Sequence, residues 1–307
     1  MKIKNFKTLS EQLTASKKMR IVIAGATREE IQVAKQAHSI ASFIFIGDEK
    51  EIHEVMEKER LNQADFDVVD VKNHKEIAKK AIEMIHSGQA DIPMKGLIHT
   101  STFMSAVLNK ETGLKRNGRL SQITLFEYDK KLKFLTDCAI NIDLDLQTKQ
   151  ALIENAVSLA HTFGIESPNV ALLGAVETVG EKMPDTLDSA ILTQMNRRGQ
   201  IKNCLVDGPL SLDNAISRES AMHKGIVSEV AGNADILVGS SLQEANTLSK
   251  SLNFYAGLST ASVIMGTKQP IIMTSRTDKT ANKVNSIAAT CYYLKYRQDE
   301  EGSHVHV

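Results

Sequence analysis

The sequence predicts an α/β protein with parallel sheets, and three observations lead to that class. Short apolar segments rich in β-branched residues alternate with amphipathic helical segments along most of the chain. The composition, with 42% hydrophobic and 24% charged residues, matches an ordinary globular protein. The length of 307 residues is enough for about two domains. Strands that alternate with helices are joined by crossover connections, which make neighbouring strands parallel.

The alternation is clearest in the first hundred residues. The segment MRIVIAG at 19–25 is a short apolar run that ends in glycine, as a buried strand often does. The next helix starts with Thr27 and Glu30 in the spacing of a capping box. Further strands are predicted at 42–48 and 66–71, and a short strand in DIPMKG ends at Lys95. Helices are predicted at 51–60, 74–88 and 102–109.

The segment 122–140 differs, because two apolar runs joined by the charged turn YDKKLK indicate an antiparallel hairpin, which we interpret as a domain junction. Alternation then resumes. Helices are predicted at 145–163, 184–198, 243–258 and 280–296, strands in NVALLGAV, NCLVDGP and ADILVG, and two closing strands in ASVIMGTKQPIIMTSR. The tail QDEEGSHVHV has no apolar period, so we expect it to fray and its two histidines not to bind metal.

Charge and composition exclude several function classes. Lys and Arg total 37, as do Asp and Glu, so the chain has no basic excess of the kind that nucleic acid attracts. No apolar run approaches the ~20 residues of a membrane span, and the N-terminus lacks the apolar stretch of a secretory signal. The three cysteines lie far apart, as free thiols in a reducing compartment do. We therefore expect a cytoplasmic protein without nucleic-acid or membrane partners.

The sequence also lacks the common cofactor motifs. Gly25 follows the first strand, but no GxxG follows it, so a Rossmann-type dinucleotide site is not expected. The P-loop pattern GxxxxGK[ST] does not occur, and the His, Cys and carboxylate residues have no metal-ligand spacing. We expect no metal and no cofactor.

Ligands of open α/β sheets gather at the carboxyl ends of strands, and three polar segments fall at such positions. The first, at 94–103, carries Lys95 at a strand end, followed by the hydroxyls of Ser101 and Thr102 near a helix start. Helix N-termini with free N–H groups and hydroxyls can bind an anion. An ordinary helix cap with a surface lysine fits the spacing equally well.

The second segment, VDGPLSLDNA at 206–215, places Asp207 at a strand end, before a Gly-Pro turn, and Asp213 near the next helix. Spacing alone favours the simpler interpretation, a strand–turn–helix unit with a capping aspartate.

The third segment, at 270–279, sets Ser275, Arg276 and Asp278 just after an apolar strand. Arginine binds phosphate with two parallel hydrogen bonds, a neighbouring hydroxyl can donate to a developing negative charge, and a carboxylate can orient the arginine or accept a proton. The alternative is a helix N-terminal turn with a surface arginine. The apolar strand before the segment favours the functional interpretation.

Taken together and in this order, these segments resemble the phosphate acetyl/butyryltransferase family, and its butyryl-type members in particular. The matching segments are MKGLIHTSTF and AVLNKETGLK within 94–115, and the stretches at 182–215, 223–237, 244–252 and 274–279. The resemblance covers nearly the whole chain after about residue 20. Its specificity comes from the combination of motifs.

The resemblance implies a reversible reaction in which acyl-CoA and inorganic phosphate give an acyl phosphate and CoA. The implied acyl group is short, butyryl or branched C4–C5, and CoA is a substrate. The implied fold has two α/β domains with a cleft between them, similar to the isocitrate and isopropylmalate dehydrogenases, and the implied assembly is a homodimer. The first domain would comprise 1–118 and 263–307, and the second 119–262. The implied ternary complex of acyl-CoA and phosphate uses proximity, without metal or covalent intermediate.

The resemblance also implies roles for individual residues. Arg276 holds phosphate, Ser275 hydrogen-bonds the reacting carbonyl or sulfur, and Asp278 is the nearest candidate for a catalytic base. Lys95, Ser101 and Thr102 complete the phosphate site with Arg276. The resemblance implies that six further residues bind acyl-CoA, namely Asp207, Gly208, Pro209, Asp213, Asn246 and Lys250.

Three positions depart from the family pattern. Asn282 stands where acetyl-type members carry an aspartate, Ser105 where butyryl-type members carry a basic residue, and Ala245 where a glycine is usual. Two alternatives therefore stay open: a phosphate acetyltransferase, and a non-catalytic acyl-CoA-binding or regulatory protein on the same fold. A hydroxy-dicarboxylate dehydrogenase would need clustered acidic metal ligands and several substrate arginines, which the sequence does not supply.

Overall fold

The computed structural model describes residues 2–116 and 118–303. Their chain forms two compact units. The inserted unit comprises residues 119–260 together with residues 2–5, and the flanking unit comprises residues 6–118 and 261–303 of the described chain.

Strands and helices alternate along the chain, so the predicted α/β class is confirmed. In chain order the elements are α1 (Phe6–Thr14), β1 (Met19–Ala24), α2 (Arg28–Ala37), β2 (Ala41–Gly47), α3 (Glu49–Lys58), a 3-10 turn (Gln63–Asp65), β3 (Asp67–Asp70), α4 (His74–His86), β4 (Ile92–Lys95), α5 (Thr100–Val107), β5 (Ser121–Tyr128), β6 (Lys131–Thr136), α6 (Leu146–Thr162), β7 (Asn169–Leu173), α7 (Pro184–Arg197), β8 (Leu205–Leu210), α8 (Leu212–Ile216), α9 (Arg218–His223), β9 (Ile236–Val238), α10 (Leu242–Phe254), β10 (Thr260–Met265) and α11 (Thr280–Ser303).

The flanking unit contains a parallel sheet in the order β3-β2-β1-β4. Strands β1 and β2 are buried over most of their length, as expected of a parallel sheet with helices packed on its faces. The chain leaving β1 touches the chain leaving β4, because a Cβ on Gly96 would lie only 2.2 Å from the carbonyl oxygen of Gly25. Only glycine fits at position 96, and this close approach fixes the direction of the chain after Lys95.

In the inserted unit the hydrogen-bonded strands run in the order β5-β6-β9-β7-β8. β5 and β6 form the predicted antiparallel hairpin, and the other pairs are parallel. The hairpin turn consists of Asp129 and Lys130, both with positive φ, at 48° and 58°. Two consecutive positive φ values are typical of the tight turns whose twist matches that of the strands.

Several predicted boundaries are wrong, including the end of the helix predicted at 243–258, which stops at Phe254. Helix α5 begins at Thr100 rather than 102, so Ser105 is its sixth residue and lies beyond the first turn. The second closing strand is reduced to isolated bridges at Ile271 and Ile272. Helix α11 continues to Ser303 instead of fraying after 296, and Gln and Glu in this segment are good helix formers. The rest of the predicted tail, with His304 and His306, lies outside the described residues.

Candidate active site

The backbone of the flanking unit brings the first and third polar segments together. The amide of Lys95, the last residue of β4, donates to the carbonyl of Ile272 at 2.9 Å, and the amide of Ile272 donates to the carbonyl of Pro93 at 3.1 Å. The two segments run parallel, so both end at the same edge of the sheet. The chain therefore leaves Ile272 toward Arg276 beside the point where β4 ends at Lys95.

Lys95 is a buried cation, with 9% of the residue exposed. Its Nζ donates to the carbonyl oxygens of Gly96 at 3.1 Å and Ile98 at 3.4 Å. Burial lowers the pKa of the Lys95 ammonium, the positive charges of Arg276 and Lys283 lower that pKa further, and only the carboxylate of Glu30 opposes them. An anion bound here would relieve the repulsion among the three cations.

Two carboxylates next to these cations already have partners. Glu29 forms an ion pair with the buried Nζ of Lys283 at 2.5 Å. Glu30 is the capping-box residue of α2, and its Oε2 accepts from the Thr27 amide at 3.0 Å and from the Thr27 hydroxyl at 2.5 Å. These two carboxylates are engaged by Lys283 and Thr27, so neither is paired with Lys95 or Arg276, and the two cations can attract an anionic ligand.

Ser275 lies in a tight turn just before α11. Its amide donates to Asp278 Oδ2 at 2.8 Å, and its hydroxyl lies 3.0 Å from that of Thr277. The side chains of Ser275 and Arg276 are exposed to solvent. The Asp278 carboxylate therefore fixes the backbone of the serine, while the serine hydroxyl and the arginine stay accessible to a ligand.

The hydroxyls predicted to bind phosphate lie on α5, in a groove toward α4. Ser101, Thr102 and Ser105 line this groove together with Lys75 and Lys79. Lys95 and Arg276 are not among the groove's lining residues. Ser101 and Thr102 thus line the α4–α5 groove, and Lys95 and Arg276 lie at the end of β4.

In the inserted unit, the predicted acyl-CoA residues lie on β8, α8 and α10. Asp207 Oδ1 accepts from the amide of Gly208 at 2.9 Å, and a Cβ at Gly208 would lie 2.6 Å from that of Leu172, so the turn packs closely on β7. Asn246 donates to the carbonyl of Cys138 at 2.7 Å. Of the remaining members, Pro209 follows a cis peptide bond, and Asp213 and Lys250 are exposed.

Comparison with known proteins identifies the family. The family described as "Phosphate acetyl/butaryl transferase" matches residues 72–291. A phosphate butyryltransferase from Clostridium beijerinckii (strain ATCC 51743 / NCIMB 8052) is 41% identical over 290 residues, which cover 93% of this chain and 96% of that protein. The chain belongs to the phosphate acetyl/butyryltransferase family. The resemblance found in the sequence is thereby confirmed.

Two further relatives of this acyltransferase support the assignment. A phosphate acetyltransferase from Rhizobium meliloti is 38% identical over 257 residues, covering 83% of this chain and 81% of that protein. The crystal structure of a branched-chain phosphotransacylase from Enterococcus faecalis V583 is similar with a TM-score of 0.81 at 31% identity, covering 90% of this chain and 99% of the other.

Sequence reasoning missed several polar residues around the predicted acyltransferase sites. In the flanking unit these are Glu29 and Lys283, and in the inserted unit a cluster of Glu177, Ser211, Asn214 and Lys224. A signal for Glu177 was present, because it follows the β7 strand at the same sheet edge as the DGP turn. Nothing local marked Lys283, which is one polar residue among many on a long helix.

Three further observations concern metal ligands, cysteine thiols and membrane-spanning helices. The described residues hold no group of three or more His, Cys, Asp or Glu arranged to bind a metal ion. Burial raises the pKa of the Cys138 and Cys291 thiols to about 12 and that of Cys204 to about 11, so none of them is a ready nucleophile. No helix within the described ranges is long and apolar enough to cross a membrane.

Proposed function

We propose that this protein transfers a short acyl group reversibly between CoA and inorganic phosphate. Family membership supports this reaction, since its relatives are named phosphate butyryltransferase and phosphate acetyltransferase. The observation that carries the proposal is the cationic cluster of Lys95, Arg276 and Lys283 at the end of β4, beside the Ser275 turn.

Phosphate binds to the charges of this cluster. Lys95 supplies a buried, weakly solvated ammonium, and Arg276 supplies a planar fork of donors that matches two phosphate oxygens. Bound phosphate also screens the two cations from each other, so relief of their repulsion adds to the binding free energy.

A phosphate oxygen then attacks the thioester carbonyl carbon of acyl-CoA. The carbonyl electrons move to oxygen, and the tetrahedral oxyanion is stabilised by a donor that is already in place, for which we propose the Ser275 hydroxyl. As the intermediate collapses, the carbon–sulfur bond breaks and CoA leaves as a thiolate. A thiol pKa of about 8.5 means that this leaving group needs little proton assistance.

Asp278 has two proposed contributions. Its Oδ2 holds the backbone of Ser275, which keeps the serine hydroxyl in place for the oxyanion. It is also the candidate base implied by the resemblance.

Ser101 and Thr102 extend the phosphate site into the α4–α5 groove, and the residues of β8, α8 and α10 bind acyl-CoA.

A butyryl or branched C4–C5 acyl group is the proposed substrate. The names of the Clostridium butyryltransferase and the Enterococcus branched-chain phosphotransacylase support this choice. The homodimer, the cytoplasmic location, the domain boundaries, the cleft of the dehydrogenase-like fold and the independence from metal and cofactor stay predictions.

The deciding experiment measures CoA release from butyryl-CoA with and without inorganic phosphate. Phosphate-dependent release supports the acyltransferase. Binding of butyryl-CoA without any such release would favour the non-catalytic acyl-CoA-binding alternative, which the family relationships do not favour. Faster release from acetyl-CoA would indicate a phosphate acetyltransferase.

A further inference from the structure

The carboxylate of Glu177 is the centre of a polar cluster in the inserted unit. Its Oε1 accepts from the Ser211 hydroxyl at 2.5 Å, from the Asn214 amide at 2.5 Å and from Lys224 Nζ at 2.9 Å. Glu177 lies in the loop after β7, Ser211 and Asn214 lie at the N-cap and in the first turn of α8, and Lys224 lies just after α9. One side chain therefore joins three separate segments.

The Ser211 hydroxyl takes part in this cluster and does not cap helix α8. Ser211 is the N-cap residue of α8, where a serine hydroxyl normally accepts from a backbone amide of the first helical turn. Here no side-chain capping bond forms, and the hydroxyl lies 2.5 Å from Glu177 Oε1 and 2.6 Å from Asp213 Oδ1. A hydroxyl has one proton, so the two carboxylates compete for it.

Lys224 balances the charge of this pair. It forms an ion pair with Glu177, and the negative charges of Glu177 and Asp213 both raise its pKa. The Ser211 and Lys224 hydrogen bonds lower the pKa of Glu177 to about 2. The lowered pKa keeps Glu177 negatively charged at neutral pH, and its Oε1 accepts from Ser211, Asn214 and Lys224 together.

The segment held by this cluster is the one predicted to bind acyl-CoA. Asp207, Gly208 and Pro209 precede Ser211, and Asp213 lies two positions after it. Asn214 is fully buried, and its Nδ2 bonds to Glu177 and to the Ser211 hydroxyl, so the cluster is fixed from the protein interior as well.

We propose that Glu177 is a positioning residue for acyl-CoA, which acts with Lys224 by fixing the Ser211–Asn214 turn and the orientation of the Asp213 carboxylate. This inference rests on the proposed acyl transfer function. Because the cluster contacts the predicted acyl-CoA segment and no predicted phosphate residue, its loss affects acyl-CoA and leaves phosphate binding unchanged.

The test compares Glu177→Gln with Glu181→Gln, a matched control on the same loop, whose carboxylate is exposed. For each protein the KM values for butyryl-CoA and phosphate, the Kd for CoA by calorimetry and the thermal midpoint are measured. We expect Glu177→Gln to raise the KM for butyryl-CoA and the Kd for CoA by about fivefold or more, with the phosphate KM within twofold of wild type. Glu181→Gln should match wild type in all four quantities.

Lys224→Met provides a second route to the same effect, because Lys224 is the half-exposed partner and its loss leaves the interior hydrogen bonds intact. Lys224→Met should also raise the KM for butyryl-CoA and leave the phosphate KM within twofold of wild type. The double variant should be little worse than either single one, since the two residues act through one ion pair.

Three results would overturn the inference. Acyl-CoA constants in Glu177→Gln equal to those of the control show that the turn does not need Glu177. A parallel rise of both KM values with a lower thermal midpoint shows a purely structural role. A wild-type protein that releases no CoA with phosphate and binds no CoA overturns the proposed function as well, and that outcome is recognised before any variant is made.

Discussion

Replacing Arg276 by alanine removes one of the three cations of the cluster at the end of β4. Lys95 stays in place, because its amide and Nζ bonds go to backbone carbonyls and none of them involves Arg276. The Ser275 turn also persists, since Asp278 holds it through the serine amide. The substitution therefore tests the phosphate contact without disturbing the fold around it.

The size of the effect follows from the exposure of the arginine. A charge-assisted hydrogen bond contributes about 1.5–3 kcal/mol, and solvent around an exposed Arg276 side chain reduces the value toward the lower limit. A loss of about 1.5–2 kcal/mol corresponds to about a 10- to 30-fold higher KM for phosphate. A lower kcat is also expected, while the KM for acyl-CoA should change little.

The assay is a phosphate titration at fixed butyryl-CoA, with Lys7→Ala as the control, since Lys7 is an exposed cation of the same unit on α1. A second readout uses pH. In wild type the phosphate KM rises as the pH passes the lowered pKa of Lys95, because the ammonium loses its charge there. Without Arg276 one cause of that lowering disappears, so the rise moves to higher pH. An unchanged phosphate KM and an unmoved pH profile would remove Arg276 from the site.

Four further predictions concern the oxyanion, the acyl chain, the metal requirement and the α4–α5 groove. Ser275→Ala should lower kcat by about 10²-fold if its hydroxyl donates to the oxyanion, and an effect confined to KM would refute that role. Butyryl-CoA and branched C4–C5 acyl-CoA should react with higher kcat/KM than acetyl-CoA, and equal or better values for acetyl-CoA would contradict the chain-length assignment. Dialysis against a chelator should leave kcat unchanged, whereas a loss restored by a divalent cation would show a metal requirement. Ser105→Arg should lower the phosphate KM.

Local sequence patterns predicted the elements that carry the site. The Thr27–Glu30 capping box, the 122–140 hairpin and the strand ending at Lys95 are all present, because each depends on residues within a few positions of one another. The predicted start of α5 was wrong because the prediction depended on local capping residues alone. Its N-cap is His99, which makes no side-chain capping bond, so the hydroxyls that follow gave a false signal for the helix start.

The assembly of the site could not be predicted from those patterns. Lys95 meets Arg276 only because Ile272 pairs with β4, across more than 170 positions of sequence. Lys283 lies next to Lys95 through the packing of α11, and Glu177 meets Ser211 and Lys224 through the folding of three loops. Such contacts depend on tertiary packing, for which a single sequence gives no periodic signal.

Ser105→Arg distinguishes the two places in which the predicted phosphate residues lie. Ser105 is exposed in the α4–α5 groove with Ser101, Thr102, Lys75 and Lys79, whereas Lys95 is not part of that groove. An arginine here adds a third cation to the groove, and an exposed contact of about 0.5–1 kcal/mol lowers the phosphate KM by about two- to fivefold if phosphate reaches it. Ser105→Gln is the control of similar length without charge, and higher ionic strength should reduce the difference between the two. An equal or higher KM in the arginine variant would mean that phosphate does not use the groove, and the end of β4 alone would then hold the anion.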